Sequence, residues 1–283
     1  LPDNPESGID YSLIALKKMF TEWDKAVDKG WPSIYLGNHD QPRMVSRFGS
    51  DKDEFRALSA KMLITFLLTM RGTPYWFAGD EIGMRNIRFD RIEDYNDIDT
   101  INRYKKAKAE GKDPQAVLDE QKETGRDNAT PFQWDRSPEA GFTAGTPWLK
   151  VNPDYTWINV ADEEKDPTSI LNYFKKVVSF RKENPSLIYG SYHLLDAENP
   201  QCYIFLRKTG ADTYLIMLNF SPKAAISTPG IDMSNAHVLL DNYGDRSHMA
   251  PQKDITLRPF EAIVFQLNHP VYESFIDSLD LLE

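Results

Sequence analysis

The chain has 283 residues, enough for about two domains at ~150 residues each. Its 33 Lys plus Arg against 43 Asp plus Glu give a formal charge of −10, which argues against nucleic acid and anionic membranes as partners. One cysteine, Cys202, excludes an intramolecular disulfide framework and a zinc site built on several cysteines, and it leaves the cellular compartment open. The longest apolar run, residues 62–70, is too short for a membrane helix, which needs ~20 residues.

The first predicted helix starts at Asp10, the expected N-cap, and stops at Gly30, with apolar residues at helical spacing between them. A short apolar run follows over residues 33–37. It lacks polar alternation, which is typical of a strand buried on both faces of a parallel sheet. We therefore expect the polar residues 38–40, which come next, to lie at the carboxyl end of a buried strand.

A second helix is predicted over residues 51–71, where Asp51 and Glu54 have the spacing of a capping box. Another buried strand is predicted over residues 73–78. The order helix, strand, helix, strand indicates βα units in a parallel sheet. In that architecture the polar residues just past the strand ends line the active face.

The candidate site residues follow the first strand. A carboxylate and an imidazole at a strand end must be solvated or paired, so Asn38, His39 and Asp40 indicate either a functional cleft or an ordinary Asx turn. Gln41 and Arg43 supply donors that could pair with Asp40 or bind the hydroxyls of a ligand.

Two further groups of carboxylates have competing interpretations. Asp80 and Glu81 follow the second strand and would form a second polar pair beside the first, with one of them capping a neighbouring helix. Asp99 lies in a strongly acidic stretch that also fits a solvated surface. Arg47 fits an ordinary ion pair as well as a site residue.

Residues 83–167 are irregular, polar and aromatic, with one predicted helix over 98–110 and a loop over 126–154 that is rich in Trp, Pro and Gly. A loop of that length inside a compact domain favours a functional role. A third amphipathic helix is predicted over residues 169–183.

After Asn184 and Pro185 the composition shifts to short apolar runs separated by turn residues, which predicts an antiparallel sandwich of ~80 residues. The predicted strands cover residues 192–195, 203–207, 214–219, 237–240 and 262–267. We expect an α/β region over residues 1–187, an all-β region over 188–268 and a tail over 269–283.

Three segments carry a specific resemblance. They are residues 35–43 (YLGNHDQPR), residues 71–84 (RGTPYWFAGDEIGM), and the loop that contains 125–135 (GRDNATPFQWD) and 140–153 (AGFTAGTPWLKVNP). The first two resemble the last barrel motifs of the alpha-amylase superfamily of glycoside hydrolases. Together with the loop they are similar to the oligo-1,6-glucosidase, dextran glucosidase and alpha-glucosidase group, whose fold implies the C-terminal portion of a (β/α)₈ TIM barrel followed by a β-sandwich.

The resemblance also implies roles for individual residues. Asp40 would be the third catalytic carboxylate, which holds the hydroxyls of the distorted glucose and stabilises the positive charge that develops in the transition state. His39 would hydrogen-bond the same sugar, Arg126 would help to close that subsite, and Asp99 stands where the family usually has a Glu that contacts the leaving sugar. Asp80 also replaces a usual Glu, and the family's Arg between residues 129 and 130 is missing, which implies a different acceptor side.

The family's nucleophile Asp and acid/base Glu lie on earlier barrel strands and, with the usual calcium site, would be upstream of Leu1. We therefore expect no hydrolysis by residues 1–283 alone, no cofactor or metal in this chain, and order only beside the N-terminal barrel half or a covering oligomer contact. The expected ligand is a short α-linked glucose oligosaccharide. The alternative is a non-catalytic amylase-like module with a scaffold or partner-binding role.

Overall fold

The computed structural model describes residues 2–27, 30–124, 130–210, 212–247 and 253–267. In these ranges the helices are α1 Leu13–Ala26, α2 Met44–Phe48, α3 Arg56–Thr69, α4 Ile98–Ala109, α5 Gln115–Thr124, α6 Val160–Glu163, α7 Ile170–Glu183 and α8 Pro185–Tyr189. The strands are β1 Ser33–Ile34, β2 Thr73–Pro74, β3 Ser191–Leu195, β4 Cys202–Thr209, β5 Asp212–Asn219, β6 Ala225–Ser227, β7 His237–Asp241, β8 Ile255–Leu257 and β9 Ala262–Leu267. Short 3₁₀ turns connect several of these elements.

The chain divides into two compact units. The first combines Leu1–Ile34, Lys52–Tyr75 and Phe174–Glu283, and the second combines Tyr35–Asp51 and Trp76–Tyr173. The predicted domain boundary near residue 187 does not coincide with this division by contacts and stays a prediction.

In the first unit, β1 and β2 form a parallel pair, as the two apolar runs predicted. Ser33 lies opposite Thr73 and Ile34 opposite Pro74. Both strands are shorter than predicted, because the ladder is confined to these two residue pairs. The prediction that they are buried on both faces is wrong, since Ser33 and Thr73 are exposed. A parallel pair needs a crossover connection, which α3 supplies here.

The boundaries of α1 and α3 differ from the prediction for local reasons. Ser12, not Asp10, caps α1, and its hydroxyl accepts the N–H of Ala15. Helix α3 begins at Arg56 without a side-chain cap, so the capping box predicted at Asp51 does not form. Asp51 instead accepts a hydrogen bond from Ser46 and pairs with Arg88, both in the second unit. The carboxylate of Asp51 therefore makes tertiary contacts in place of the helix cap that the sequence spacing predicted.

The region after residue 190 is antiparallel, as predicted. Five strands pair in the order β3-β4-β5-β9-β7, and a second sheet pairs β6 with β8. One apolar cluster contains residues of both sheets, including Ile204, Met217 and Ile263 from the larger sheet and Ile255 and Leu257 from the smaller. The β6–β8 sheet, which the sequence reading did not predict, closes this core.

Lys17 joins α1 to the turn before β4 in the same unit. Its side chain is fully buried, and Nζ donates to the backbone carbonyls of Asp196, Asn199 and Cys202 at 3.0, 2.8 and 3.3 Å. Burial lowers the pKa of Lys17 from 10.5 to about 8, against the attraction of the nearby Asp196 carboxylate. The ammonium group therefore replaces its lost hydration with three carbonyl oxygens.

The second unit contains α2, α4, α5, α6 and the start of α7, joined by long irregular segments. Helix α4 matches its prediction closely, whereas α5 was not predicted. Two small apolar clusters support this unit. Ile82, Met84, Ile158 and Leu171 form one, and the other lies around Leu118.

Candidate active site

The residues that follow β1 form a tight Asx turn. The side chain of Asn38 accepts the backbone N–H of Asp40 at 2.9 Å, and its carbonyl accepts the N–H of Gln41 at 3.2 Å. His39 Nε2 lies 3.4 Å from Asp40 Oδ2, and these side chains are 72% and 76% exposed. The turn therefore fixes the backbone and leaves an imidazole and a carboxylate side by side and open to solvent.

Arg43 anchors the chain just after this turn. Its guanidinium is buried, donates to the carbonyl of Ala78 at 2.7 Å and to Asp80 Oδ1 at 3.4 Å, and lies 4.3 Å from the centre of the Phe77 ring. The N–H of Arg43 donates to Asn86 Oδ1 at 2.8 Å. The sequence reading offered Arg43 as a partner of Asp40 or a ligand of hydroxyl groups. In the structure Arg43 pairs with Asp80 instead, and this pair anchors the chain that follows the Asx turn of residues 38–41.

Asp80 is the buried partner in this pair. Burial raises the pKa of Asp80 from 3.8 to about 6, opposed by Arg43 and reinforced by the neighbouring Glu81. Burial likewise lowers the pKa of Arg43, and Asp80 counteracts that effect. Burial therefore disfavours the charged forms of both Arg43 and Asp80, and each charge is stabilised by the other.

The turn just before Asp80 and Glu81 requires glycine. Gly79 has φ = +107°, and a Cβ there would lie 2.4 Å from Met84 Sδ and 2.9 Å from Arg43 Nη1. Glu81 turns back to accept the Gly79 N–H at 2.7 Å. The adjacent carboxylates thus have different partners: Asp80 pairs with Arg43, and Glu81 binds the backbone of the turn instead of capping a neighbouring helix as predicted. The Arg43–Asp80 pair itself was missed, because only the fold brings the two segments together.

The other predicted residues have separate surroundings. Gln41 accepts a hydrogen bond from Arg47 Nη1 at 2.8 Å. Asp99 is half-buried in the first turn of α4, whose N-cap, Asp97, accepts the N–H groups of Asp99 and Thr100. Arg126 lies outside the described residues. The roles of all these residues stay predictions.

A groove of about 420 Å³ lies elsewhere in the second unit. It is lined by residues 93–96, Glu139 and residues 146–150. Trp148 contributes an indole that is 67% exposed. None of the predicted site residues lines this groove. Part of its wall belongs to the loop over residues 126–154, whose length had predicted a functional role, and that was its one signal in the sequence.

Within the described ranges, no three His, Cys, Asp or Glu side chains are grouped so that they could hold a metal ion. Over the same ranges, no helix is both long and apolar enough to cross a bilayer.

Comparison with known proteins gives a consistent match. Residues 4–190 match the family model for the alpha-amylase catalytic domain. The chain is 47% identical over 265 residues to an oligo-1,6-glucosidase of Parageobacillus thermoglucosidasius, covering 92% of this chain and 47% of that protein. An oligo-1,6-glucosidase of Bacillus cereus is 46% identical, with 90% and 46% covered.

A solved structure supports the same match. The trehalose-6-phosphate hydrolase of Bacillus licheniformis aligns with a TM-score of 0.86 at 37% identity, covering 92% of this chain and 48% of that one. The chain therefore spans about half the length of the relatives that it matches.

Proposed function

The chain belongs to the alpha-amylase family, and we propose that it forms the C-terminal portion of a retaining alpha-glucosidase that releases terminal α-linked glucose from short oligosaccharides. The linkage would be α-1,6, α-1,4 or both. The names of the similar proteins, two oligo-1,6-glucosidases among them, support this substrate class. The parallel β1–β2 pair would belong to the last strands of a (β/α)₈ barrel, and the antiparallel region would be its β-sandwich domain.

The observation that carries the proposal is the arrangement after β1. His39 and Asp40 are adjacent and open to solvent, while the residues just beyond them are fixed by the buried Arg43–Asp80 pair. A group that stabilises a transition state must be held in place before the substrate arrives. An exposed carboxylate on an anchored turn meets that requirement.

In the proposed reaction Asp40 acts by charge and by hydrogen bonding. As an ionised carboxylate it accepts hydrogen bonds from two sugar hydroxyls and stabilises the oxocarbenium-like charge near the anomeric carbon. His39 would donate to the same sugar. Asn38 would hold the turn, while Gln41, Asp99 and Arg126 would contact the sugar or its leaving group.

The covalent chemistry of a retaining enzyme needs two further carboxylates ~5 Å apart, one as nucleophile and one as acid/base. We propose that segments outside these 283 residues supply both. Loss of acid/base assistance alone typically costs ~10²–10⁴ in rate, and loss of the nucleophile removes the covalent path. The chain by itself should therefore be inactive.

The test is complementation. The purified chain is assayed for glucose release from isomaltose and maltose, alone and after co-expression with the N-terminal half of the Parageobacillus thermoglucosidasius relative. We expect activity only in the combination, and a loss of about 10²-fold or more in kcat for Asp40→Asn.

Asp119→Asn is the matched control, because this carboxylate is also exposed in the second unit but is absent from the proposed site. Glucose release by the chain alone would overturn the proposed division of the catalytic groups. Equal activity of the Asp40→Asn and Asp119→Asn combinations would overturn the role of Asp40.

A further inference from the structure

The Trp148 groove, defined by residues 93–96, Glu139 and 146–150, is built from groups that the proposed reaction does not use. Its volume of about 420 Å³ lies within the ~300–1,000 Å³ typical of small-molecule sites. Trp148 is 67% exposed, whereas Leu149 and Tyr95, which also line the groove, are buried. The groove thus combines an open aromatic side chain with residues that are packed into the protein.

Three polar side chains in the groove have no partner in the described part of the protein. They are the amide of Asn96, the hydroxyl of Thr146 and the carboxylate of Glu139. Together they present donors and acceptors of the kinds that hydroxyl groups need. Tyr95 is different, because its hydroxyl donates to the carbonyl of Phe89 at 3.0 Å and is already satisfied.

Glu139 is presented by an unusual backbone. Glu139 and Ala140 both have positive φ, +54° and +57°, which is uncommon for residues other than glycine. The carbonyl of Ala140 accepts the N–H groups of Trp134 and Asp135 at 2.9 and 3.1 Å, so the turn is held from the protein side. The backbone that carries the Glu139 carboxylate is therefore held in place by the protein itself and does not need a ligand to order it.

The charges of the groove disfavour an anionic ligand. Lys150 pairs with Asp94 at 2.9 Å, and Glu93 pairs with Arg91 at 3.4 Å. Glu139 is the carboxylate of the groove left without a cation among the described residues. The net field is negative, which opposes the binding of a phosphorylated sugar.

We propose that the Trp148 groove binds a neutral glucose oligosaccharide through groups other than those assigned to the proposed reaction. One sugar ring would lie with its C–H face on the indole of Trp148, because an aromatic side chain offers a flat apolar surface of that size. The hydroxyls of the sugar would bind Glu139, Asn96 and Thr146. The choice of a glucose oligosaccharide rests on the proposed function, whereas the geometry of the groove does not.

The experiment uses the protein labelled with 5-fluorotryptophan, in which six resonances are expected from the six tryptophans. Trp148→Phe assigns the resonance of Trp148, and isomaltotriose is then titrated. We expect this resonance to shift saturably, while that of Trp23, which is 57% exposed on α1, does not move. Trp148→Ala should weaken binding about tenfold or more, and Trp23→Ala should leave the affinity unchanged.

Charge selectivity provides a second measurement. Glucose 6-phosphate should bind more weakly than glucose, and Glu139→Gln should narrow that difference. Asp40→Asn should leave the shift of Trp148 unchanged, so the result is independent of turnover. A Trp148 resonance that does not respond, or an unchanged affinity in Trp148→Ala, would overturn the site. Equal binding of glucose and its phosphate would overturn the argument from charge.

Discussion

The buried Arg43–Asp80 pair gives a quantitative prediction. The pKa of Asp80 is about 6 in the folded protein, against 3.8 for the free side chain. Between these pH values the folded state binds more protons than the unfolded state, so stability falls as the pH rises through this window. One pKa unit corresponds to about 1.4 kcal/mol, which gives ~3 kcal/mol for the whole window.

The perturbation is Asp80→Asn, which keeps the shape of the side chain and removes its titration. The free energy of unfolding is measured in urea between pH 4.5 and pH 7.5 for both proteins. Relative to the variant, the unsubstituted protein should lose about 2 kcal/mol over this range, because most of the titration falls within it.

Arg43→Met is the matched control. Arg43 lowers the pKa of Asp80, so its removal should move the pH-dependent loss to values above pH 6. The variant should also be less stable, because removing one partner of a buried pair typically costs about 3–5 kcal/mol. The same pH dependence in Asp80→Asn and in the unsubstituted protein would refute the reasoning.

Three further predictions concern other buried or capping groups. The pKa of Lys17 is about 8 in the folded protein and 10.5 in the free side chain, so the unfolded state binds more protons between these pH values. Relative to Lys17→Met, the free energy of unfolding measured in urea should therefore rise by about 2 kcal/mol from pH 7.5 to pH 10. Asp97→Ala removes the N-cap of α4 and should cost about 1 kcal/mol in the same assay, whereas a null effect would contradict the cap. Burial raises the pKa of the Cys202 thiol to about 12, so iodoacetamide should alkylate it in urea but not in the folded protein, and rapid native labelling would exclude this burial.

The sequence predicted the fold best where one local pattern dominates. The apolar runs of β1, β2 and β9 and the amphipathic pattern of α7 each identify an element of the right type. The short strands β6 and β8 were missed, since three residues carry too little pattern and each is stabilised by its partner. The start of α3 was predicted wrongly, because the carboxylate of Asp51 binds Ser46 and Arg88 instead of capping the helix.

The candidate site shows a similar division. The placement of His39 and Asp40 after the first strand followed from the order of the elements, and the structure brings the two side chains to 3.4 Å. The Arg43–Asp80 pair joins residues 37 positions apart, and no spacing rule predicts it. The Trp148 groove is likewise formed by three segments that are separate in the sequence, and no sequence pattern predicts that they meet.

The contacts of Lys17 have a consequence for any attempt to shorten the chain. Its three carbonyl acceptors lie about 180 residues downstream, so the burial of Lys17 is completed only after the chain has returned to α1 from most of its length away. A truncation before residue 196 would remove these acceptors together with β4, which packs on α1, and would expose the face of α1 that carries Lys17 to solvent. The strands after residue 190 thus cover the amino-terminal helix, and deleting them to obtain a minimal barrel fragment would destabilise the amino-terminal end as well.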